Sequence, residues 1–198
     1  MKWFKHKELI EVGVDEAGRG CLAGPVVAGA VILNPEKRIK GLNDSKKLSE
    51  KKREELRLEI EEKAFHWAVG EVDNSRIDEI NILNASFEAM HKAIRQIDSR
   101  IDHILVDGNR FKAFKDIPFS CEIKGDGKFA SIAAASILAK THRDKIMNSL
   151  HEEYPEYLWA KNKGYPTAEH IEAFRRLGHS KFHRRSFHLK SAQLNLDL

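Results

Sequence analysis

The chain predicts an α/β layer fold built on a mixed β-sheet, and three features of its 198 residues carry that reading. Short apolar strand segments come first, and helical and strand segments then alternate, an order that stacks helices on a sheet. Hydrophobic residues make up 41% of the chain, enough for one sizeable core. Charged residues make up 32%, which covers that core with a well-solvated surface.

Each element follows from its local pattern. Ile10, Val12 and Val14 alternate with Glu11, Gly13 and Asp15, the period of a strand with one buried face. "PVVAGAVIL" (25–33) is more continuously apolar and reads as a more central strand. "RIKGLNDSKKLS" (38–49) is a loop, and Ser49 is placed to cap the helix "EKKREELRLEIEEK". "HWAVGEVD" (66–73) gives a third strand, and the first three fit an antiparallel meander. Apolar positions from about Ile80 to Ile97 share one helical face. "HILVDG" (103–108) and "PFSCEIK" (118–124) are further strands, and a loop then feeds a long, Ala-rich helix. A shorter helix over 167–177 follows "GYPT". No internal repeat is visible. The expected organisation is a core over 1–160 with a basic helical extension over 161–198 that belongs to the same unit and contributes to substrate binding.

Composition excludes several classes. The apolar run 21–33 is too short to span a membrane and is broken by Gly24, Pro25 and Gly29. "MKWFKHKELI" lacks the apolar region of a secretory signal. Cys21 and Cys121 alone make neither a disulfide framework nor a four-ligand zinc site, so a cytoplasmic protein is expected. A monomer is also expected. The net charge of +4 is unevenly spread. Residues 161–190 hold four Lys and four Arg against Glu169 and Glu172, and the rest of the chain is slightly acidic. Tyr165, Phe174, Phe182 and Phe187 interleave with these cations, a composition suited to a polyanion with stackable bases or to a solvated amphipathic tail. His170, His179, His183 and His188 are irregularly spaced and read as surface or packing residues.

The chemistry concentrates in acidic residues at strand ends. Asp15 follows "VGV" and Asp107 follows "ILV", so adjacent strands would bring both to one rim of the sheet. Asp126, in "KGDGK", sits in a loop able to reach that rim. Carboxylates about 4 Å apart repel by roughly 4 kcal/mol per pair at an effective dielectric near 20. A divalent cation removes that conflict, and an all-oxygen ligand set selects Mg²⁺ or Mn²⁺. Glu16 points to the opposite face from Asp15 unless the glycines after it bend the strand. Simpler roles remain open: an ion pair with Arg19 for Asp15 and Glu16, a turn for Asp107, and a turn or helix cap for Asp126. Gly18-Arg19-Gly20 offers backbone N–H groups and a planar cation to a hydroxyl or phosphate, or is a plain turn. Lys46 and Lys47 are placed to hold phosphates if their loop lies at the same rim.

These residues resemble ribonuclease HII, the type 2 ribonuclease H family. "GVDEAGRG" (13–20), "GPVVAGAVIL" (24–33), "LNDSKKLS" (42–49), "VDGN" (106–109), "KGDGKFASIAAASILAKTHRD" (124–144), "GYPT" (164–167) and "HRRSF" (183–187) match in family order. Cys21 departs from the Pro of many members, and the sibling type HIII is disfavoured because the chain carries the GRG run. The resemblance implies a ribonuclease H-like mixed sheet flanked by helices, with a small helical C-terminal extension. It implies an endonuclease that hydrolyses the RNA strand of RNA–DNA hybrids and nicks 5′ to single ribonucleotides in duplex DNA. Asp15, Glu16, Asp107 and Asp126 match the acidic positions, with Asp15, Glu16 and Asp107 as ligands of what are two divalent ions, Mg²⁺ or Mn²⁺. Gly18, Arg19 and Gly20 match the loop that senses the 2′-hydroxyl, and Tyr165 the tyrosine that reads the RNA–DNA junction. Asp144, in "THRD", matches a structural position. The competing classes are a non-catalytic nucleic-acid-binding module and a carboxylate–metal phosphatase for small molecules.

Overall fold

A computed structural model describes residues 1–187. Lys190 and His188 lie outside the described residues, as does the end of the 161–198 extension. Five strands form one sheet in the order β3-β2-β1-β4-β5: β1 (Glu11–Ala17), β2 (Val26–Ile32), β3 (His66–Val72), β4 (His103–Asp107) and β5 (Phe119–Glu122). The first three are the expected antiparallel meander, whereas β1–β4 and β4–β5 are parallel. The helices are α1 (Glu50–Lys63), α2 (Asn74–Arg95), α3 (Ala130–Glu153), α4 (Trp159–Asn162) and α5 (Ala168–Leu177). No helix among the described residues is long and apolar enough to cross a membrane.

Helices cover the sheet on both sides, which corrects the one-faced reading of the first strand. Val12, Val14, Ala28 and Ala30 pack with Ala85, Ala89 and Ala93 of α2. On the other face Val31 packs with Leu56 and Ile60 of α1 and with Ala134 and Ile137 of α3. Leu56 and Ile60 are fully buried, worth about 1.5–3 kcal/mol each. Glu11, on the face that alternation leaves to solvent, is only 5% exposed. The alanines of α3 serve close approach. A Cβ at Gly13 would lie 2.3 Å from the Ser131 backbone, and one at Gly29 would lie 2.4 Å from the Ala135 carbonyl. The helix therefore crosses the two central strands nearly in contact with their backbone, and this sets which α3 side chains reach the strand ends.

Helix boundaries follow their caps. Ser49 Oγ accepts the Lys52 N–H at 3.2 Å, as its position before α1 predicts. α2 starts six residues earlier than the apolar face indicates, because Asp73 Oδ1 accepts the Arg76 N–H at 2.8 Å. It breaks at Asn81, where φ is 65° and the side chain caps a new start through Leu83 N–H (3.0 Å) and Asn84 N–H (3.1 Å). The division expected at 160/161 falls inside α4, and the segment beyond α3 packs through Tyr157, Trp159 and Ala173 onto Ala23 and Met147. Asp144 links helices, with Lys140 Nζ at 2.6 Å and Arg53 at 3.9 Å.

Candidate active site

The parallel register of β1 and β4 runs from Glu11↔His103 to Val14↔Val106, so Asp15 and Asp107 come next, side by side at the strand ends. Gly13 faces α3, and alternation puts Asp15 on that face. Leu105 packs on Phe129 and Ile132, which puts Asp107 on the same face. Asp107 Oδ1 accepts the Gly125 N–H at 2.7 Å, and Asp15 Oδ1 accepts the Glu16 N–H at 2.7 Å. Ser136 of α3 lies close enough to Asp15 to favour its ionised form. Its Oγ lies 2.9 Å from Ser45 Oγ, which pins the 42–49 loop beside the acids. Glu16 remains paired with Ala28 in unbroken strand, so the bend that would turn it toward Asp15 is absent. It instead lines a small cleft on the α2 side with Arg19, Asp107, Asn109 and Arg110. Asp107 borders that cleft and faces Asp15, and so links the two sides of the rim.

These acids repel one another in a desolvated place. Burial, then Glu16, then Asp107 push the Asp15 carboxyl well above the usual carboxylate range, against the opposing pull of Ser136 and the Glu16 N–H. Burial also raises Glu16, opposed by Arg19 at 3.1 Å and reinforced by Asp107. Asp126 is raised by burial, by Asp107 and by Asp44, and is drawn back by Lys46. Asp126 sits in the 3-10 turn Gly125–Gly127 and is not the α3 cap; that position is Phe129. Its neighbour Asp44 is a residue that the sequence pattern did not single out. Asp44 lies in the "LNDSKKLS" block and caps the turn Ser45–Lys47 through the Lys46 N–H at 2.9 Å. No three of these acids bring oxygens within 4.8 Å of one another. The donor set is all oxygen, anionic and partly buried, and so fits hard divalent cations.

The Gly18-Arg19-Gly20 loop is held from below by two buried arginines. Arg184 donates to the carbonyls of Gly18 (2.7 Å), Arg19 (3.0 Å), Gly24 (3.0 Å) and Pro25 (3.2 Å). Arg143 donates to those of Pro25 (2.9 Å), Lys163 (2.8 Å) and Ala23 (3.1 Å). Gly18 has φ of 98° and a Cβ there would meet Arg143 Nε at 2.1 Å, so only glycine fits. Arg19 and Gly20 are exposed, and their N–H groups make no hydrogen bond among the described residues. The carbonyls thus face inward and the amides remain outward.

Tyr165 joins this loop from the C-terminal side. Its ring is 36% exposed, with Arg143 and Lys140 each 5.8 Å from its centroid. Burial, then the Cys21 thiol, push its hydroxyl up to about 12, so the phenol end points inward. His170 Nδ1–H donates to the Tyr165 carbonyl at 2.9 Å, which anchors the backbone. His170 Nε2 meets Trp159 Nε1–H at 3.0 Å and His183 Nε2 at 3.2 Å, so these histidines are packing residues. The other interleaved aromatics are partly buried in packing contacts. Phe182 packs on the Trp159 cluster, Phe187 packs on the main core and Phe174 contacts His179 and His183. Nor is the basic stretch uniformly free, since Arg184 is buried and Lys161 and Lys181 pair with Glu169 and Glu153. Lys46 and Lys47 are exposed, and only Lys46 is tied to the acids, through Asp126.

Known proteins are similar to this chain in sequence and in fold. The sequence profile of the Ribonuclease HII family matches residues 12–190. Ribonuclease HII of Bacteroides thetaiotaomicron is 58% identical over 195 residues, covering 98% of each chain. The structure of the PCNA:RNase HII complex from Archaeoglobus fulgidus aligns with TM-score 0.73 at 28% identity, over 92% of this chain and 96% of that one. Bst-RNase HIII in complex with Mn²⁺ shares the fold, with TM-score 0.66 at 20% identity over 90% of this chain and 67% of that one. The chain belongs to the ribonuclease HII family, metal-dependent endonucleases of the ribonuclease H class.

Proposed function

We propose that Asp15, Glu16, Asp107 and Asp126 hold two divalent ions, Mg²⁺ or Mn²⁺, and that the site hydrolyses the RNA strand of RNA–DNA hybrids and nicks duplex DNA 5′ to a single embedded ribonucleotide. One observation carries this reading: Asp15 and Asp107 directly follow the last paired residues of adjacent parallel strands, and burial and mutual repulsion raise the Asp15 carboxyl. Bound divalent ions neutralise charge around a scissile phosphate and lower the pKa of an attacking water. The chain's own groups bind and orient. The Gly125 N–H and Ser136 hold the two aspartates at the rim. Arg19, 53% exposed at its side chain, meets a phosphate on the outer side of the cleft. The outward N–H groups of Arg19 and Gly20 meet the 2′-hydroxyl, the one group that marks a ribonucleotide. Tyr165 stacks on the deoxyribose that follows, where a 2′-hydroxyl would crowd its ring. Lys46, Lys47, Arg176 and Arg185 are exposed and hold duplex phosphates. The products carry 3′-hydroxyl and 5′-phosphate ends, and the protein acts as a monomer in the cytoplasm.

The test is a duplex holding one ribonucleotide, incubated with chelator-treated protein and then with Mg²⁺ or Mn²⁺. The expected result is a nick mapping 5′ to the ribonucleotide that needs the ion and disappears in Asp15→Asn. Tight binding without an ion-dependent product would instead leave a non-catalytic nucleic-acid-binding module.

A further inference from the structure

The opposite end of the same strands carries a second group of ligating side chains. Glu11 and His103 are direct register partners on β1 and β4, about 13 Å along the strand from Asp15. Both are 5% exposed. His6, exposed on the N-terminal segment, closes over them, its ring centroid 4.8 Å from that of His103. One ligand atom from each of His6, Glu11 and His103 lies within 4.8 Å of the others, the one such trio of His, Cys, Asp or Glu side chains among the described residues.

The polar atoms of this trio are incompletely matched. Glu11 is oriented by backbone donors, Lys5 N–H to Oε1 at 3.0 Å and His6 N–H to Oε2 at 3.3 Å. His103 Nε2 meets Ser120 Oγ at 3.0 Å. Its other nitrogen, Nδ1, is buried without a hydrogen bond and lies 3.4 Å from Glu11 Oε2. In the tautomer with Nε2–H donating to Ser120 Oγ, the Nδ1 lone pair faces a carboxylate oxygen, a contact that a cation between them makes favourable. The separation fits a metal, since ligands about 2.1 Å from a tetrahedral ion lie about 3.4 Å apart. Ser120 supplies the second hydrogen bond that fixes a ligating imidazole in orientation. Lys5, the nearest cation, is turned away onto Glu122 at 2.6 Å.

We propose that His6, Glu11 and His103 form a transition-metal site of the Zn²⁺ class, separate from the catalytic acids, with its fourth position open to solvent beside His6. Two imidazoles and one carboxylate favour Zn²⁺, whereas the oxygen-only rim favours Mg²⁺ or Mn²⁺. The ion ties the N-terminal segment, already joined to α3 by the Lys2–Phe129 bridge, to the start of β1 and β4. Its effect falls on stability and not on the chemistry at the far rim.

The experiment uses tag-free, chelator-stripped protein carrying Asp15→Asn, titrated with Co²⁺ and followed by visible absorption. One equivalent is expected to give a tetrahedral spectrum that Zn²⁺ erases and millimolar Mg²⁺ leaves intact, and Zn²⁺ should raise the melting temperature. Adding His6→Ala, at an exposed position, should weaken Co²⁺ at least tenfold and remove the Zn²⁺-dependent rise, and His103→Gln should do the same. No tetrahedral spectrum at micromolar Co²⁺, or an affinity unchanged by His6→Ala, would overturn the site.

Discussion

The molecule buries charge in two neighbouring places and treats it in opposite ways. Under the Gly18–Gly20 loop, the guanidinium groups of Arg143 and Arg184 are buried, and together they donate to seven carbonyl contacts. At the strand ends, Asp15, Glu16 and Asp126 are desolvated among further carboxylates, with Arg19 and Lys46 as partial counterweights. A buried charge with every guanidinium nitrogen matched to a carbonyl is scaffold. One left in conflict with its neighbours marks a place where something else is to bind. The contrast also separates Arg184 from the substrate-binding role that the basic composition of residues 161–190 assigns to it.

The sharpest way to break this comparison is Asp15→Asn. Cleavage should fall at least about 1,000-fold, near 4 kcal/mol of transition-state stabilisation, while the fold survives. Stability should move the other way. The Asp15 carboxyl is raised in the folded state, so its favourable contribution is complete below the ordinary value of 3.8 and is lost as pH rises through the raised value. The cation-free parent should therefore melt lower at pH 7–8 than at mildly acid pH. Asp15→Asn should flatten that slope, and a variant that melts well below the parent at pH 8 would contradict the reading.

Arg184→Met tests the other side. Stranding four carbonyl contacts should cost about 3 kcal/mol, or roughly 6–12 °C in melting temperature for a chain of this size. Arg184→Lys should rescue little, because an ammonium cannot reproduce the planar fork. A variant as stable as the parent would show that the loop holds itself.

Smaller effects separate the loop from its neighbour Tyr165. Tyr165→Ala should lose about 10–100-fold on a single embedded ribonucleotide, the range of a lost stacking contact, and less on a continuous hybrid. Tyr165→Phe should stay near the parent, since the hydroxyl faces Cys21 rather than substrate. Equal losses on both substrates would assign Tyr165 to the scaffold. The histidine cluster behind it should show a pH response of opposite sign to the acids. His183 is lowered from 6.5 to about 3, so its contribution is intact above pH 6.5 and lost as pH falls toward 3. Fluorescence of Trp159, packed against His183, should report that loosening before global unfolding. The smallest change is Lys46→Ala, with a few-fold weaker duplex binding and a salt slope reduced by about one.

Much of the site was legible as local pattern. Strand segments ending in Asp15 and Asp107, the glycines after them and the Ser49 cap are statements about neighbours in sequence, which periodicity and turn chemistry read directly. The pattern misled where burial depends on a second layer. Glu11 alternates like a solvent-facing residue yet is covered by His6, which arrives from the N-terminal segment. Phe174, Phe182 and Phe187 read as stacking partners yet face inward, because α5 and the segment after it fold back onto Tyr157, Trp159 and α2.

By itself, then, the sequence determined which residues are chemically capable and which strand ends carry them, because propensity and alternation act over a few residues. Only the tertiary structure decided that β4 lies parallel to β1 in a register that sets Asp15 beside Asp107, that Ser136 and Asp44 join the acids, and that Arg184 is support rather than contact. Those outcomes depend on contacts between segments more than 80 positions apart, and on how closely α3 can approach the glycines of the central strands. Local propensity carries no information about either.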